Sequence, residues 1–244
     1  MSTDMDQATD YRDWKGWDRE NFAKVPQELA VYFEAELGKA GVSLDGPLEV
    51  LELGFGNGGF AGFCHERGFG YSGTEIDAEL VDRAQANGFE VVAADPDLTA
   101  LFEGRKFDLI VAFDVLEHLT QDEIIEALGH VSGLLTAGGR MIARFPSGDS
   151  PFSFGMQNGD MTHRTHIGSG MVRQFCLATG LRPHQIRGPV LPIQGLGLRR
   201  AMRRAAVRAA RAFVATFVRV AYMDNQPRVI DPNMLIVLEK SDGD

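Results

Sequence analysis

The sequence predicts an α/β fold around a central, mostly parallel sheet. Three observations carry this expectation. Short apolar runs alternate with helix-compatible stretches from residue 48 onward. The first run breaks into a glycine-rich turn, Glu52-Leu53-Gly54-Phe55-Gly56-Asn57-Gly58-Gly59. Later runs end on carboxylates, at Glu75 and Asp95, or run straight into one, at Asp114. A chain of 244 residues is long enough for one such domain with a sizeable core.

Pro26–Gly41 reads as a helix, with Pro26 near its first position and Gly41 near its C-cap. Strands are expected at about 48–53, 70–76, 89–94, 107–113 and 138–145. Asp77 is placed to cap a helix over Ala78–Asn87. Thr120-x-x-Glu123 is a capping box that opens a helix to Ala137. Ser169–Thr179 is a further helix, stopped by Gly180. Leu181–Gly188 and Asn233–Lys240 complete the set of strands. Between them lies an insertion of about 190–231, whose centre, Leu198–Tyr222, holds no Pro or Gly and is helix-prone.

Composition bounds the function. Cys64 and Cys176 stand far apart with no CxxC spacing, so neither a disulfide framework nor a zinc site is implied. Met1–Asp10 is acidic and unlike a secretory signal. No run approaches about 18 uninterrupted apolar residues. A cytoplasmic setting is the expectation. The net charge is −10, yet residues 196–223 carry seven arginines and no acid, which leaves −17 on the rest. So acidic a body argues against broad nucleic-acid binding.

The glycine turn brings backbone close to a ligand, because glycine reaches positive φ and has no Cβ. Gly54-x-Gly56-x-x-Gly59 fits a dinucleotide fingerprint, and Glu52-x-Gly54-x-Gly56-x-Gly58 fits a second template. The segments that follow discriminate. The ordered series V-L-E-L-G-x-G-x-G, G-T-E-I-D, A-A-D, F-D-L-I-V-A-F-D-V-L-E-H-L and G-G-R-M-I-A-R-F-P resembles the motif set of class I S-adenosylmethionine-dependent methyltransferases, over about residues 46–185.

The resemblance implies a Rossmann-like seven-stranded sheet of order 3-2-1-4-5-7-6 with helices on both faces and an antiparallel last strand. It also implies an N-terminal helical cap over 1–45 and a catalytic domain over 46–244 with the basic helix inserted. S-adenosylmethionine is the implied cofactor. Glu52, Gly54, Gly56 and Gly58 form the first motif, with backbone around Gly54 and Gly56 approaching the methionine portion. Glu75 takes the ribose, Asp95 the adenine amino group. Phe113 and Asp114 lie at the strand-four end. Asp95 as a turn residue before Pro96 and Asp114 as a helix cap are the alternatives.

Methyl transfer to a hydroxyl gains from a base. The long loop Pro146–Ile167 offers Thr162-His163-Arg164-Thr165-His166. His163 and His166 are the base candidates, His163 by resemblance of Thr-His-Arg, while His118 orders the site. HxxH lacks an acidic partner at ligand spacing, so no metal is expected. Arg164 is a candidate for binding an anionic group. Trp14 and Trp17 in Tyr11–Trp17 need a surface to cover, either the cofactor or the domain flank.

The loop and the arginine-rich insertion resemble methyltransferases of bacterial glycan or polysaccharide pathways, and this resemblance implies a sugar or glycan hydroxyl as the acceptor. A phenolic or quinone-like acceptor and a catalytically silent S-adenosylmethionine-binding scaffold are the other readings. In the helix 198–222, Phe213, Phe217 and Val220 share one face, and Arg200, Arg204, Arg208 and Arg211 another. Packing on the domain, peripheral contact with an anionic membrane, and a homodimer contact are its possible uses.

Overall fold

The computed structural model describes residues 15–17, 21–222 and 228–241. Tyr11–Trp14 and residues 223–227 of the insertion fall outside them. In chain order the elements are α1 (Gln27–Lys39), β1 (Glu49–Leu53), α2 (Gly59–Arg67), β2 (Gly70–Glu75), α3 (Ala78–Ala86), β3 (Val91–Ala93), α4 (Leu98–Leu101) and β4 (Phe107–Phe113). A 3₁₀ turn at Leu116–His118 leads into α5 (Gln121–Leu134) and β5 (Leu135–Pro146). The chain ends with α6 (Phe154–Gln157), α7 (Ser169–Thr179), β6 (Leu181–Arg187), α8 (Leu198–Tyr222) and β7 (Asn233–Lys240).

The seven strands lie in the order β3-β2-β1-β4-β5-β7-β6, as expected. β7 runs antiparallel to both neighbours. The first four strands and β5 are parallel. Period-two alternation divides the core. Val50, Leu109, Val111 and Ile142 pack with Phe33, Leu37, Phe60 and Phe63 of α1 and α2. Leu51, Ile110, Met141 and Ala143 face the other way, onto Ile124, Leu128 and Val131 of α5 and Val172 and Phe175 of α7. Leu128 is 1% exposed, so truncating it to alanine costs about 2–5 kcal/mol.

The capping signals act as read. Asp77 accepts from the N–H groups of Glu79 and Leu80, and both halves of the Thr120–Glu123 box form. Gly180 ends α7 in the left-handed conformation. Pro26 sits one place earlier than expected, at the N-cap of α1. The expected start of β5 needs correction. The helix stops at Leu134 and the strand begins at Leu135. The residues between, Thr136–Gly139, form an irregularity in the β4–β5 register, where Phe107 pairs with Leu135 but Leu109 with Arg140. Gly138 at φ +82° makes that bulge possible.

α8 leaves its aromatic stripe uncovered and meets the body through Val218, its buried residue, and through arginines that reach the body from exposed or half-buried positions. Arg204 donates to the Pro192 carbonyl and to Glu28, and Arg211 pairs with Asp231. Phe213, Phe217 and Val220 point outward, exposed. No helix among the described residues is long and apolar enough to cross a membrane.

Candidate active site

The carboxyl ends of β1, β2 and β4 lie side by side, where open α/β sheets bind ligands. Three glycines of the turn are left-handed: Gly54 at φ +67°, Gly56 at +52° and Gly58 at +72°. The turn is also bonded internally. Gly54 and Phe55 donate to the Thr74 carbonyl, and Gly58 to that of Phe55. Gly56 donates to Glu75 Oε2 at 2.9 Å. A Cβ on Gly54 would meet Val115, one on Gly56 the Trp17 ring and one on Gly58 Phe22. These glycines are therefore required both by φ and by protein packed against them. Trp17 lies over the turn itself.

Glu75 is buried. Its other oxygen accepts from the N–H groups of Ile76 and Asp77 at 2.7 and 3.2 Å. Burial raises its pKa, and the three backbone donors oppose that rise. Three of roughly four acceptor positions of the carboxylate are thus in use, and Glu75 organises the turn. Ile76 beside it is 88% exposed.

Several expected positions have other surroundings than anticipated. Glu52 does not open onto the turn. It is buried and accepts from the Tyr71 hydroxyl at 2.7 Å. Burial pushes its carboxyl up to about 8. Asp114 is not a helix cap. It stands at φ +58° and binds Arg144 through both oxygens. Arg144 lies over the rings of Tyr32 and Phe113, and Phe113 packs on Phe33 and Phe60. Asp95 is exposed and accepts from the Asp97 N–H at 2.9 Å, the turn geometry expected before Pro96.

The Pro146–Ile167 loop folds back onto the 3₁₀ turn. Arg164 and Thr165 donate backbone N–H groups to the Glu117 carbonyl, and the Thr165 hydroxyl donates to that of Leu119 at 2.6 Å. This brings His163 against His118, ring centroids 4.7 Å apart and edge to face. His163 Nδ1 lies 3.0 Å from the Gln157 carbonyl, which can only accept, so Nδ1 carries the proton. Thr162 Oγ1 donates its one hydrogen to Asp160 Oδ1 at 2.5 Å. It must therefore accept from His118 Nδ1, 2.8 Å away. Both rings are left with a lone pair on Nε2.

Burial, then neighbouring His163, holds His118 below its ordinary value. Glu117 is 1% exposed. Burial and then the Asp114 charge push it up to about 8, against the pull of Arg144 and Lys15. Lys15 also reaches Asp160 at 3.5 Å. Sequence reading missed Glu117, Asp160 and Thr162. The signal for Glu117 was an acid-histidine pair inside an otherwise apolar run. His166 is exposed, and among the described residues no hydrogen bond or ion pair joins it to this group. Arg164 pairs with Glu123 at 3.3 Å.

A cavity of about 620 Å³ opens beside the Asp114–Arg144 pair, bordered by Tyr32, Arg144, Leu191, Arg200 and Arg204.

A Rossmann-like sheet with one reversed strand, a left-handed glycine turn and a buried carboxylate one strand over together define a class I methyltransferase fold. Residues 12–185 match the methyltransferase-domain family, and the chain belongs to it. Solved structures agree in fold. A SAM-dependent methyltransferase from Archaeoglobus fulgidus superposes with a TM-score of 0.62 at 18% identity, over 88% of this chain and 95% of that one. An S-adenosylmethionine-dependent methyltransferase from Clostridium acetobutylicum superposes with a TM-score of 0.56 at 10% identity, over 98% and 99%. No curated protein matches the sequence. S-adenosylmethionine is the cofactor expected of such an enzyme.

Proposed function

We propose that this protein transfers the methyl group of S-adenosylmethionine to an oxygen of a hydroxylated acceptor of the sugar or glycan class. The observation that carries the reading is the buried Glu75 carboxylate clamped on the glycine turn, with exposed Ile76 beside it. The acceptor position that remains on Glu75 can take a ribose hydroxyl, next to an apolar surface for a base, which suits a nucleoside. Gly54 and Gly56 would hold the methionine portion, and the remaining oxygen of Asp95 would accept from the adenine amino group. S-adenosylmethionine supplies a methyl group on a positively charged sulfur, which needs no further activation.

The chain's own work is alignment, exclusion of water and handling of one proton. His163 Nε2 is the lone pair we assign to the acceptor hydroxyl, and the Gln157 carbonyl fixes the tautomer that provides it. His118, tethered through Thr162 to Asp160, orients the neighbouring ring. Three arginines border the cavity, two of them paired with Glu28. Their guanidinium groups offer donors to acceptor hydroxyls, beside the apolar side chains of Leu29, Val190 and Leu191.

Calorimetry should show binding of S-adenosylmethionine and S-adenosylhomocysteine and none of NAD. Mass spectrometry of glycans exposed to the enzyme should then find the added mass of one methyl group. Binding of NAD alone would reject the cofactor assignment. Cofactor binding with no turnover on any hydroxylated acceptor would leave a silent binding protein.

A further inference from the structure

We propose that Glu117, His118 and His163 form a binding site for a divalent transition-metal cation. One ligand atom from each lies within 4.8 Å of the others. Ligands about 2.0–2.2 Å from a tetrahedral or octahedral ion stand about 3–4 Å apart. Movements of about an ångström would therefore close the set.

The hydrogen bonds around the cluster are those a metal site needs. Each histidine has its Nδ1 proton committed, one to the Gln157 carbonyl and the other through Thr162 to Asp160. Such outer partners fix the tautomer and orientation of metal-bound imidazoles. Both Nε2 lone pairs remain. The third member supplies negative charge when the cation takes the place of its proton. Glu117 is 1% exposed, and its Oε2 is buried without a hydrogen-bond partner. A buried carboxylate oxygen with no partner is costly, and a cation would satisfy it. Asp160 Oδ2, 3.9 Å from His163 Nε2, adds negative charge nearby.

Spacing within the loop concealed this arrangement. The loop's own acid, Asp160, is not part of the cluster that His118 and His163 form with Glu117, and His166 stays outside it. The acid comes from the 3₁₀ turn after β4. Two imidazoles and one carboxylate suit zinc, cobalt, manganese or iron better than the all-oxygen preference of magnesium and calcium. Three protein ligands leave a position for an acceptor oxygen, the pattern of a catalytic rather than a closed structural site. With an ion present, His163 Nε2 would hold the ion, the ion would lower the proton affinity of the acceptor hydroxyl in place of the ring, and the proton would leave to water. That role rests on the methyl-transfer reading; binding of the ion does not.

The test uses the full chain stripped with a chelator and without S-adenosylmethionine. Titration with Co²⁺, followed by visible absorption, and with Zn²⁺, followed by calorimetry, should show one ion per chain, with excess Mg²⁺ a poor competitor. Glu117→Gln, His118→Ala and His163→Ala each remove a ligand and should each weaken binding more than the about 10–100-fold typical of losing an outer partner, with folding checked by circular dichroism. Thr162→Val, which removes no ligand, should weaken it less, and His166→Ala should leave affinity unchanged. Absence of stoichiometric Co²⁺ and Zn²⁺ binding in the wild type overturns the proposal, as does affinity that survives the His118→Ala/His163→Ala double variant. An ion that binds to a chain unable to transfer methyl groups would defeat the functional reading and leave the site standing.

Discussion

The glycine turn and the Glu117–His118–His163 cluster occupy neighbouring strand ends and are built by opposite rules. At the turn, the N–H groups of residues 54, 55, 56 and 58 all have partners within the protein, and Val115, Trp17 and Phe22 fill the space beside the glycines. At the cluster, two imidazole lone pairs and one buried carboxylate oxygen are left over. The turn is a finished support. The cluster is a set of groups whose bonding is completed by something else. Under the proposed function, damage to the turn should appear in cofactor affinity, and damage to the cluster in turnover.

The largest expected effect lies on the cluster side. His163→Ala should reduce turnover about 10²–10⁴-fold with S-adenosylmethionine affinity nearly unchanged, whether the ring takes a proton or holds an ion. Kinetics and calorimetry on the same preparation check the split. A variant that keeps more than half of wild-type turnover would remove His163 from the mechanism. Glu75→Ala is the counterpart on the turn side. It removes both the ribose acceptor and the bond to Gly56 N–H, so affinity for S-adenosylmethionine should fall by about 1.5–3 kcal/mol. Unchanged affinity would mean that the turn serves the fold alone.

The same contrast explains what the sequence made legible. The turn is contiguous, and positive φ at Gly54, Gly56 and Gly58 follows from residue type. The sheet order followed from recognising the motif series. The cluster is not contiguous. Glu117 and His163 meet only because Arg164 and Thr165 bind the Glu117 carbonyl, a pairing across distant segments that no local spacing announces. Glu52 stands in the first motif, yet its side chain turns inward to Tyr71. Alternation along β1 sets that direction, and Tyr71 on the neighbouring strand supplies the partner. For α8 the two faces were readable, but which one meets the body depended on Glu28, the Pro192 carbonyl and Asp231, all outside the helix.

Glu52 offers a smaller test, in pH rather than activity. Its folded-state value is raised to about 8 from an ordinary 4.5, so the native state favours the neutral form. The stability this gives is complete below about pH 4.5 and is lost as the pH rises through about 8. Glu52→Gln stays neutral and keeps an acceptor for Tyr71. The variant should match the wild type near pH 5 and exceed it near pH 9 by about 1–2 kcal/mol, or about 2–8 °C in Tm. Parallel melting curves at both pH values would rule out a buried neutral carboxyl beneath the turn.

The smallest effect is expected at the joint between the two regions. Asp114 begins the segment that leads to Glu117, and its carboxylate is bound by Arg144 at the rim of the cavity. Its φ of +58° suits Asp or Asn better than most residues. Asp114→Asn should therefore keep the backbone and remove only the charge. The two side chains are 43% and 25% exposed, so water screens much of the attraction, and the expected loss of stability is about 0.5–1 kcal/mol. Arg144 would keep Tyr32 and the ring of Phe113 as neighbours. Cofactor affinity should change little, because the turn makes no bond through this pair. KM for the acceptor should rise if the cavity receives it, since Arg144 would be less firmly held. A drop in cofactor affinity as large as that of Glu75→Ala would show that turn and cluster are one coupled unit, and the contrast between them would fail.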